Sequence, residues 1–138
     1  MSENQPVYLL DSYALLAYLE DESGKTRVQE LLTMAQKGRC RVVMCLVNLG
    51  EVLYITERER GLPLAQRVLA LVESLPLELL DASRDLVLDA AHLKAHHALS
   101  YADAFAVAAA KREQAIVLTG DPEFKAVEKL VKVEWLKG

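Results

Sequence analysis

Hydrophobic and polar positions along the chain follow two patterns, short apolar runs and longer stretches with an apolar residue every three or four positions. The short runs predict strands at Val7–Leu10, Arg41–Cys45, 77–80, 115–118 and 132–136. The longer stretches predict helices at 12–20, 25–37, 48–60, 64–75, 84–99, 101–113 and 122–130. Strands that alternate with helical crossovers predict a mostly parallel sheet with helices on both faces.

The expected fold is therefore a three-layer α/β/α arrangement around a central, mostly parallel sheet of about five strands. The chain has 138 residues, a length typical of one domain, and shows no repeat, low-complexity tract or linker. The sequence thus predicts a single α/β domain.

Acidic residues follow the predicted strands. Asp11 comes directly after the first strand, and Asp121 follows the fourth strand across a Thr-Gly turn. Glu51 is expected in the first turn of the helix after the second strand. Because the carboxyl ends of parallel strands meet at one edge of a sheet, these three side chains are expected on the same edge. Asp103 opens a helix that follows another helix, so this rule does not place it.

Helix capping offers another explanation for each acid. Asp11 and Asp121 are favourable N-cap residues, and the pairs Asn48–Glu51 and Ser100–Asp103 have the spacing of a capping box. An Asp is, however, one methylene short of reaching back to the backbone N–H of the cap residue. Capping alone therefore explains each acid separately, and the set of four requires a further argument.

Metal binding explains the set as a whole. Glu51 and Asp103 stand in otherwise apolar stretches, VNLGEVLYI and SYADAFAVAAA, where a buried carboxylate needs hydrogen-bond donors or a cation. Four carboxylates about 5 Å apart would repel by roughly 3 kcal/mol per pair at an effective dielectric near 20. A hard divalent cation relieves that repulsion, and oxygen ligands favour Mg²⁺ or Mn²⁺ over Zn²⁺.

The net charge of −4, from 20 acidic and 16 basic residues, argues by itself against a basic nucleic-acid-binding face. Setting aside four acids for a metal leaves 16 against 16, and the objection weakens. The sequence has no apolar run long enough to span a bilayer and no secretory signal, so a cytoplasmic protein without a membrane partner is expected. Cys40 and Cys45 are expected to be reduced structural residues.

Four stretches in order resemble the motifs of PIN-domain ribonucleases, and especially the VapC-type toxins of prokaryotic VapBC toxin–antitoxin pairs. They are DSYALLAYL, VNLGEVLYI, LSYADAFAVAAA and VLTGDPEFKAVE, the last closing near VEWL. The resemblance covers nearly the whole chain and implies one PIN-like nuclease domain over residues 1–138. It also implies that the catalytic and metal-binding residues are Asp11, Glu51, Asp103 and Asp121.

The resemblance further implies metal-dependent hydrolysis of phosphodiester bonds in single-stranded or structured RNA, with one or two Mg²⁺ or Mn²⁺ ions. The three aspartates are assigned mainly to the metal, whereas Glu51 is either a ligand or orients the attacking water. Ser12, Asn48 and Thr119 are polar residues that would aim the carboxylates. The family implies a homodimer and a cognate antitoxin, and segment 56–98 carries no assignable motif.

Two other functions stay open at this point. The first is a phospho-receiver module, with Asp81 after the third strand as phosphate acceptor. The second is a catalytically inactive PIN-like protein that binds RNA or a partner.

His92 and His96 are four residues apart but lack a third ligand in sequence, so an exposed helix face is expected there. Apolar residues in 64–75 cover more of the predicted helix than one narrow stripe. Core packing explains most of them, and the excess could serve a partner surface.

Overall fold

The computed structural model describes residues 5–137. Within this range, five strands form one sheet: β1 (Val7–Leu10), β2 (Arg41–Cys45), β3 (Glu78–Leu80), β4 (Ile116–Thr119) and β5 (Val133–Trp135). The strand order is β3-β2-β1-β4-β5, and every neighbouring pair is parallel. The predicted parallel sheet of about five strands is confirmed.

Six α-helices and one 3₁₀ helix are present in the described part of the chain. They are α1 (Ser12–Leu19), α2 (Lys25–Gln36), α3 (Leu46–Arg60), α4 (Leu62–Ser74), α5 (Arg84–His96), α6 (Tyr101–Glu113) and the 3₁₀ helix (Pro122–Val127). The α-helices agree with the predicted positions to within a few residues at their ends.

Two predicted helices differ from the structure. The helix expected from residue 48 begins at Leu46, because β2 runs directly into it with Cys45 as an N-cap that makes no side-chain hydrogen bond. The expected final helix is a 3₁₀ helix and ends at Val127. Its three-residue period places Phe124 and Val127 on one face, where both are buried.

The core lies on both faces of the sheet, as a three-layer fold requires. Successive strand residues point to opposite faces, so Leu9 packs with α5 and α6 whereas Leu10 packs with α1, α2 and α3. Helix α6 is buried from Asp103 to Ala110, and most of these residues are alanines that let the helix approach the sheet closely. The first turn of α6 therefore carries a buried aspartate, Asp103.

Strand register determines which side chains meet at the carboxyl edge. In the pairing of β1 with β4, Leu10 lies opposite Leu118, so the next residues, Asp11 and Thr119, are neighbours. Cys40 and Cys45 are buried free cysteines, as expected. None of the helices in residues 5–137 combines the length and apolar character of a membrane span.

Candidate metal centre at the carboxyl edge of the sheet

Asp11 is the N-cap of α1 and is almost fully buried, with 1% of its surface exposed. Its Oδ1 accepts a hydrogen bond from the Ala14 N–H at 2.9 Å, and its Oδ2 accepts one from the Thr119 hydroxyl. Thr119 Oγ1 in turn accepts from the Asp121 N–H at 2.9 Å. Thr119 therefore links the carboxylate that follows β1 to the backbone that follows β4.

Asp121 is also a helix cap. Its Oδ1 accepts a hydrogen bond from the Glu123 N–H at 2.9 Å and so begins the 3₁₀ helix, with Pro122 in the first turn. The Asp121 side chain is half-buried, beside the more deeply buried Asp11. The capping explanation thus holds for both residues, and it fixes the direction of each carboxylate.

Asp103 occupies the first turn of α6 and is buried, with 6% of its surface exposed. One oxygen each from Asp103, Asp121 and Glu123 can be chosen so that all three lie within 4.8 Å of one another, a spacing suited to a shared cation. Among residues 5–137, this is the one such group of three or more potential ligands. Glu123 was not among the candidates predicted from sequence, because an acid after Asp-Pro is fully explained by helix-dipole preference.

Glu51 joins this edge indirectly. Because α3 begins at Leu46, Glu51 lies in its second turn, so the capping box expected for Asn48–Glu51 is wrong. The Ser12 hydroxyl lies 2.5 Å from Glu51 Oε1 and donates to it, which connects Glu51 to the residue beside Asp11. Glu51 is not in the three-carboxylate group of Asp103, and Ser12 is its link to the aspartates.

Asn48 holds two helices together at the same edge. Its Nδ2 donates to the Ala102 carbonyl at 3.0 Å, and Ala102 immediately precedes Asp103. The Asn48 side chain is completely buried, and its Oδ1 receives no hydrogen bond from the described residues. A buried acceptor without a donor fits an ordered water molecule at this position.

The electrostatics of the site reflect its crowded carboxylates. Burial raises the pKa of Asp11 to about 7, against the lowering effect of the Thr119 and Ala14 hydrogen bonds, and the charge of Asp121 raises it further. Burial also raises the pKa of Asp103, as do the neighbouring Glu123 carboxyl and the charges of Asp121 and Asp11. Asp11 and Asp103 therefore retain protons near neutral pH unless a cation replaces them.

The donor set fits a hard divalent cation. All candidate ligands are carboxylate oxygens, which suit Mg²⁺ and Mn²⁺, whereas Zn²⁺ favours nitrogen and sulfur. In residues 5–137, no Lys, Arg or His forms an ion pair with these carboxylates. Their charge is thus left to an external cation or to protons.

Known proteins share this fold. A family model described as PIN domain matches residues 8–130. The chain belongs to the PIN domain family. The resemblance inferred from the four sequence motifs is therefore confirmed. No curated protein matches the chain at a significant level.

Solved structures with the same fold include toxin and toxin–antitoxin structures. VapBC2 from Rickettsia felis, bound to a promoter DNA fragment, has a TM-score of 0.75 and 17% identity, covering 95% of this chain and 99% of that chain. The DNA-bound VapBC from Salmonella typhimurium has a TM-score of 0.71 and 20% identity, covering 94% and 97%. The Mycobacterium tuberculosis sarcin-ricin-loop-cleaving toxin VapC20 has a TM-score of 0.69 and 17% identity, covering 87% and 94%.

The remaining sequence candidates lie away from this edge group. Asp81 is exposed and follows β3, which is an edge strand of the sheet. PIN family membership favours the nuclease hypothesis over a receiver with Asp81 as its acceptor. His92 and His96 stack edge to face on the exposed side of α5, and no third ligand joins them within residues 5–137.

Proposed function

We propose that the protein is a divalent-metal-dependent endoribonuclease and the toxin of a VapBC-type pair, with residues 1–138 forming one nuclease domain. The observation that carries this proposal is the convergence of Asp11, Asp103 and Asp121 at one sheet edge. The pKa values of Asp11 and Asp103 are raised, and no Lys, Arg or His among the described residues forms an ion pair with the three carboxylates. Membership of the PIN domain family and the shared fold of VapC structures support it.

The roles of the acids follow from their surroundings. Asp103 and Asp121 would hold the cation, with Asp11 beside them held in direction by the Ala14 N–H and the Thr119 hydroxyl. Glu51, held by Ser12, would be a further ligand or would orient the attacking water. One or two bound Mg²⁺ or Mn²⁺ ions would supply Lewis-acid activation of water and neutralise charge on the phosphate.

RNA is the substrate that the comparisons support. VapC20, which has the same fold, is a sarcin-ricin-loop-cleaving toxin. The acidic edge would repel a phosphodiester in the absence of a cation, so substrate binding and metal binding should depend on each other. Single-stranded and structured RNA are both proposed as substrates.

A cognate antitoxin is the proposed protein partner, because structures with this fold include VapBC complexes. A basic side chain from the antitoxin would enter the acidic edge and compete with the cation. We also propose a homodimer, and a cytoplasmic location follows from an RNA substrate and an intracellular partner.

A groove separate from the acidic edge offers a second contact surface for that partner. Its volume is about 330 Å³, and its lining includes Leu16, Leu64, Leu71, Arg60 and Arg67. It lies at the carboxyl-terminal parts of α1 and α3, whereas Asp11 and Glu51 lie toward the starts of these helices. The excess apolar residues noted in 64–75 face this groove in part.

RNA cleavage by the purified protein tests the proposal. Wild type should cleave RNA with Mg²⁺ or Mn²⁺ and stop on addition of EDTA, and Asp121→Asn should lose cleavage while remaining folded. Asp81→Asn, which changes an exposed carboxylate outside the edge group, is the matched control and should cleave normally. Absence of metal-dependent cleavage by wild type would favour the inactive PIN-like alternative, and full activity in Asp121→Asn would refute the assigned site.

A further inference from the structure

The N-terminus of α6 shows one half of a capping box. Ser100 is the N-cap, and its Oγ accepts a hydrogen bond from the Asp103 N–H at 3.1 Å. In a complete box, an acidic side chain at the Asp103 position also accepts a hydrogen bond from the N–H of the cap residue. Here the Asp103 side chain is too short for that task, and its carboxylate lies with those of Asp121 and Glu123.

Glu123 supplies the missing half from a distant part of the chain. Its Oε1 accepts a hydrogen bond from the Ser100 N–H at 3.0 Å, across 23 residues of sequence. Its own N–H donates to Asp121 Oδ1 at 2.9 Å. One residue therefore contacts both the helix start that carries Asp103 and the carboxylate of Asp121.

We propose that Glu123 is a positioning residue that completes the capping box of α6 and thereby leaves the Asp103 carboxylate available to a metal ion. The proposal rests on the proposed function, because Asp103 and Asp121 are the residues that would hold the cation. Glu123 is exposed, so packing in the core does not explain why its side chain lies against the Ser100 N–H. Its contribution is to set the separation between the start of α6 and the residues that follow β4.

A pair of variants separates the hydrogen bond to the Ser100 N–H from the negative charge of Glu123. Glu123→Gln and Glu123→Ala both remove the negative charge, but the Gln side-chain oxygen can still accept from the Ser100 N–H. Mn²⁺ affinity, measured by titration calorimetry, should be about tenfold or more weaker in Glu123→Ala than in Glu123→Gln, as is usual when a residue that orients metal ligands is lost. Asp85→Ala is the matched control, since it removes an exposed acid from the first turn of α5.

A second measurement follows the hydrogen bond without metal. The Ser100 amide proton resonance, recorded in EDTA, should move upfield in Glu123→Ala and stay near its wild-type position in Glu123→Gln. Thermal unfolding of each variant in EDTA shows whether it is folded. The amide measurement does not depend on RNA cleavage or on metal.

The outcomes separate this inference from the proposed function. Equal Mn²⁺ affinities in the two Glu123 variants would overturn the positioning role while leaving the nuclease proposal intact. A Ser100 amide proton chemical shift that is the same in both variants as in wild type would do so too. A wild type that binds no Mn²⁺ would refute the metal-dependent nuclease, and the positioning role with it. The two expected differences, seen together with an unchanged Asp85→Ala, would establish it.

Discussion

Substitution of Asp11 by Asn should stabilise the metal-free protein at alkaline pH. The substitution removes a negative charge from a buried position. It also keeps the helix cap, because Asn is a good N-cap residue and its Oδ1 can still accept from the Ala14 N–H. The second contact is less well replaced. The Asn Nδ2 would donate to Thr119 Oγ1, and the Thr119 hydroxyl would lose the acceptor that Asp11 Oδ2 provides.

The magnitude follows from the pKa of Asp11, which burial raises from 3.8 to about 7. A raised carboxyl pKa gives stability that is present below pH 3.8 and is lost as the pH rises through 7. Because Asp11 ionises more readily in the unfolded chain, the fold is destabilised by ~4 kcal/mol at pH 8 and ~2 kcal/mol at pH 5, relative to low pH. The lost Thr119 acceptor costs ~2 kcal/mol at either pH.

The variant should thus be ~2 kcal/mol more stable than wild type at pH 8 and about equally stable at pH 5, a gain of roughly 8 °C in Tm at pH 8. Urea unfolding in EDTA at both pH values measures this, with Asp81→Asn as an exposed-carboxylate control. The Thr119 cost cancels when the two pH values are compared. A stability difference that is the same at pH 5 and pH 8 would refute the argument that burial raises the pKa of Asp11.

Three further predictions concern the same edge. Mn²⁺ should raise the wild-type Tm at pH 8, and should raise it less at pH 6 because protons compete for Asp11. In the Asp11→Asn/Asp121→Asn double variant, Mn²⁺ should hardly change the Tm. Equal Tm shifts in wild type and the double variant, measured by calorimetry, would count against the site. Thr119→Val should raise the pKa of Asp11 further by removing a hydrogen bond that lowers it, so the pH dependence of RNA cleavage should move to higher pH. Gly120→Ala places a Cβ too close to Tyr13 Cε1, so the exposed end of this ring must move aside; urea unfolding should show a loss of at most ~1 kcal/mol, and a larger loss would contradict an adaptable ring.

Periodicity and the alternation of strands with helices are sufficient to predict most of the fold and two members of the candidate site. Alternating apolar runs predict each strand, and the rule for parallel sheets places Asp11 and Asp121 at one edge. Asp103 is different, because a helix that follows another helix has no strand end to place it. Its expected position comes from the resemblance to PIN-domain ribonucleases, and the structure shows it beside Asp121.

The features that sequence reasoning misses depend on contacts between distant segments. Helix α3 has Cys45 as its N-cap, without a side-chain hydrogen bond, so the sequence carries no capping signal at the true start of the helix. The sequence instead favours Asn48 as the cap, but the Asn48 side chain donates a hydrogen bond to the Ala102 carbonyl. Glu123 has no sequence signal beyond its place after Asp-Pro, because its partner is the Ser100 N–H, 23 residues earlier. Such a pairing becomes visible when the loop after β4 and the start of α6 are placed side by side.

Helix capping and metal binding are compatible at this edge, because a carboxylate has more acceptor positions than the caps use. Asp11 and Asp121 each use one oxygen to accept from a helix N–H, and each oxygen retains a further lone pair for a cation. The cap also holds the Asp11 carboxylate at a position where burial and the charge of Asp121 disfavour its ionised form. A cation that offsets this repulsion binds to side chains already fixed in direction, so little ordering cost opposes its binding.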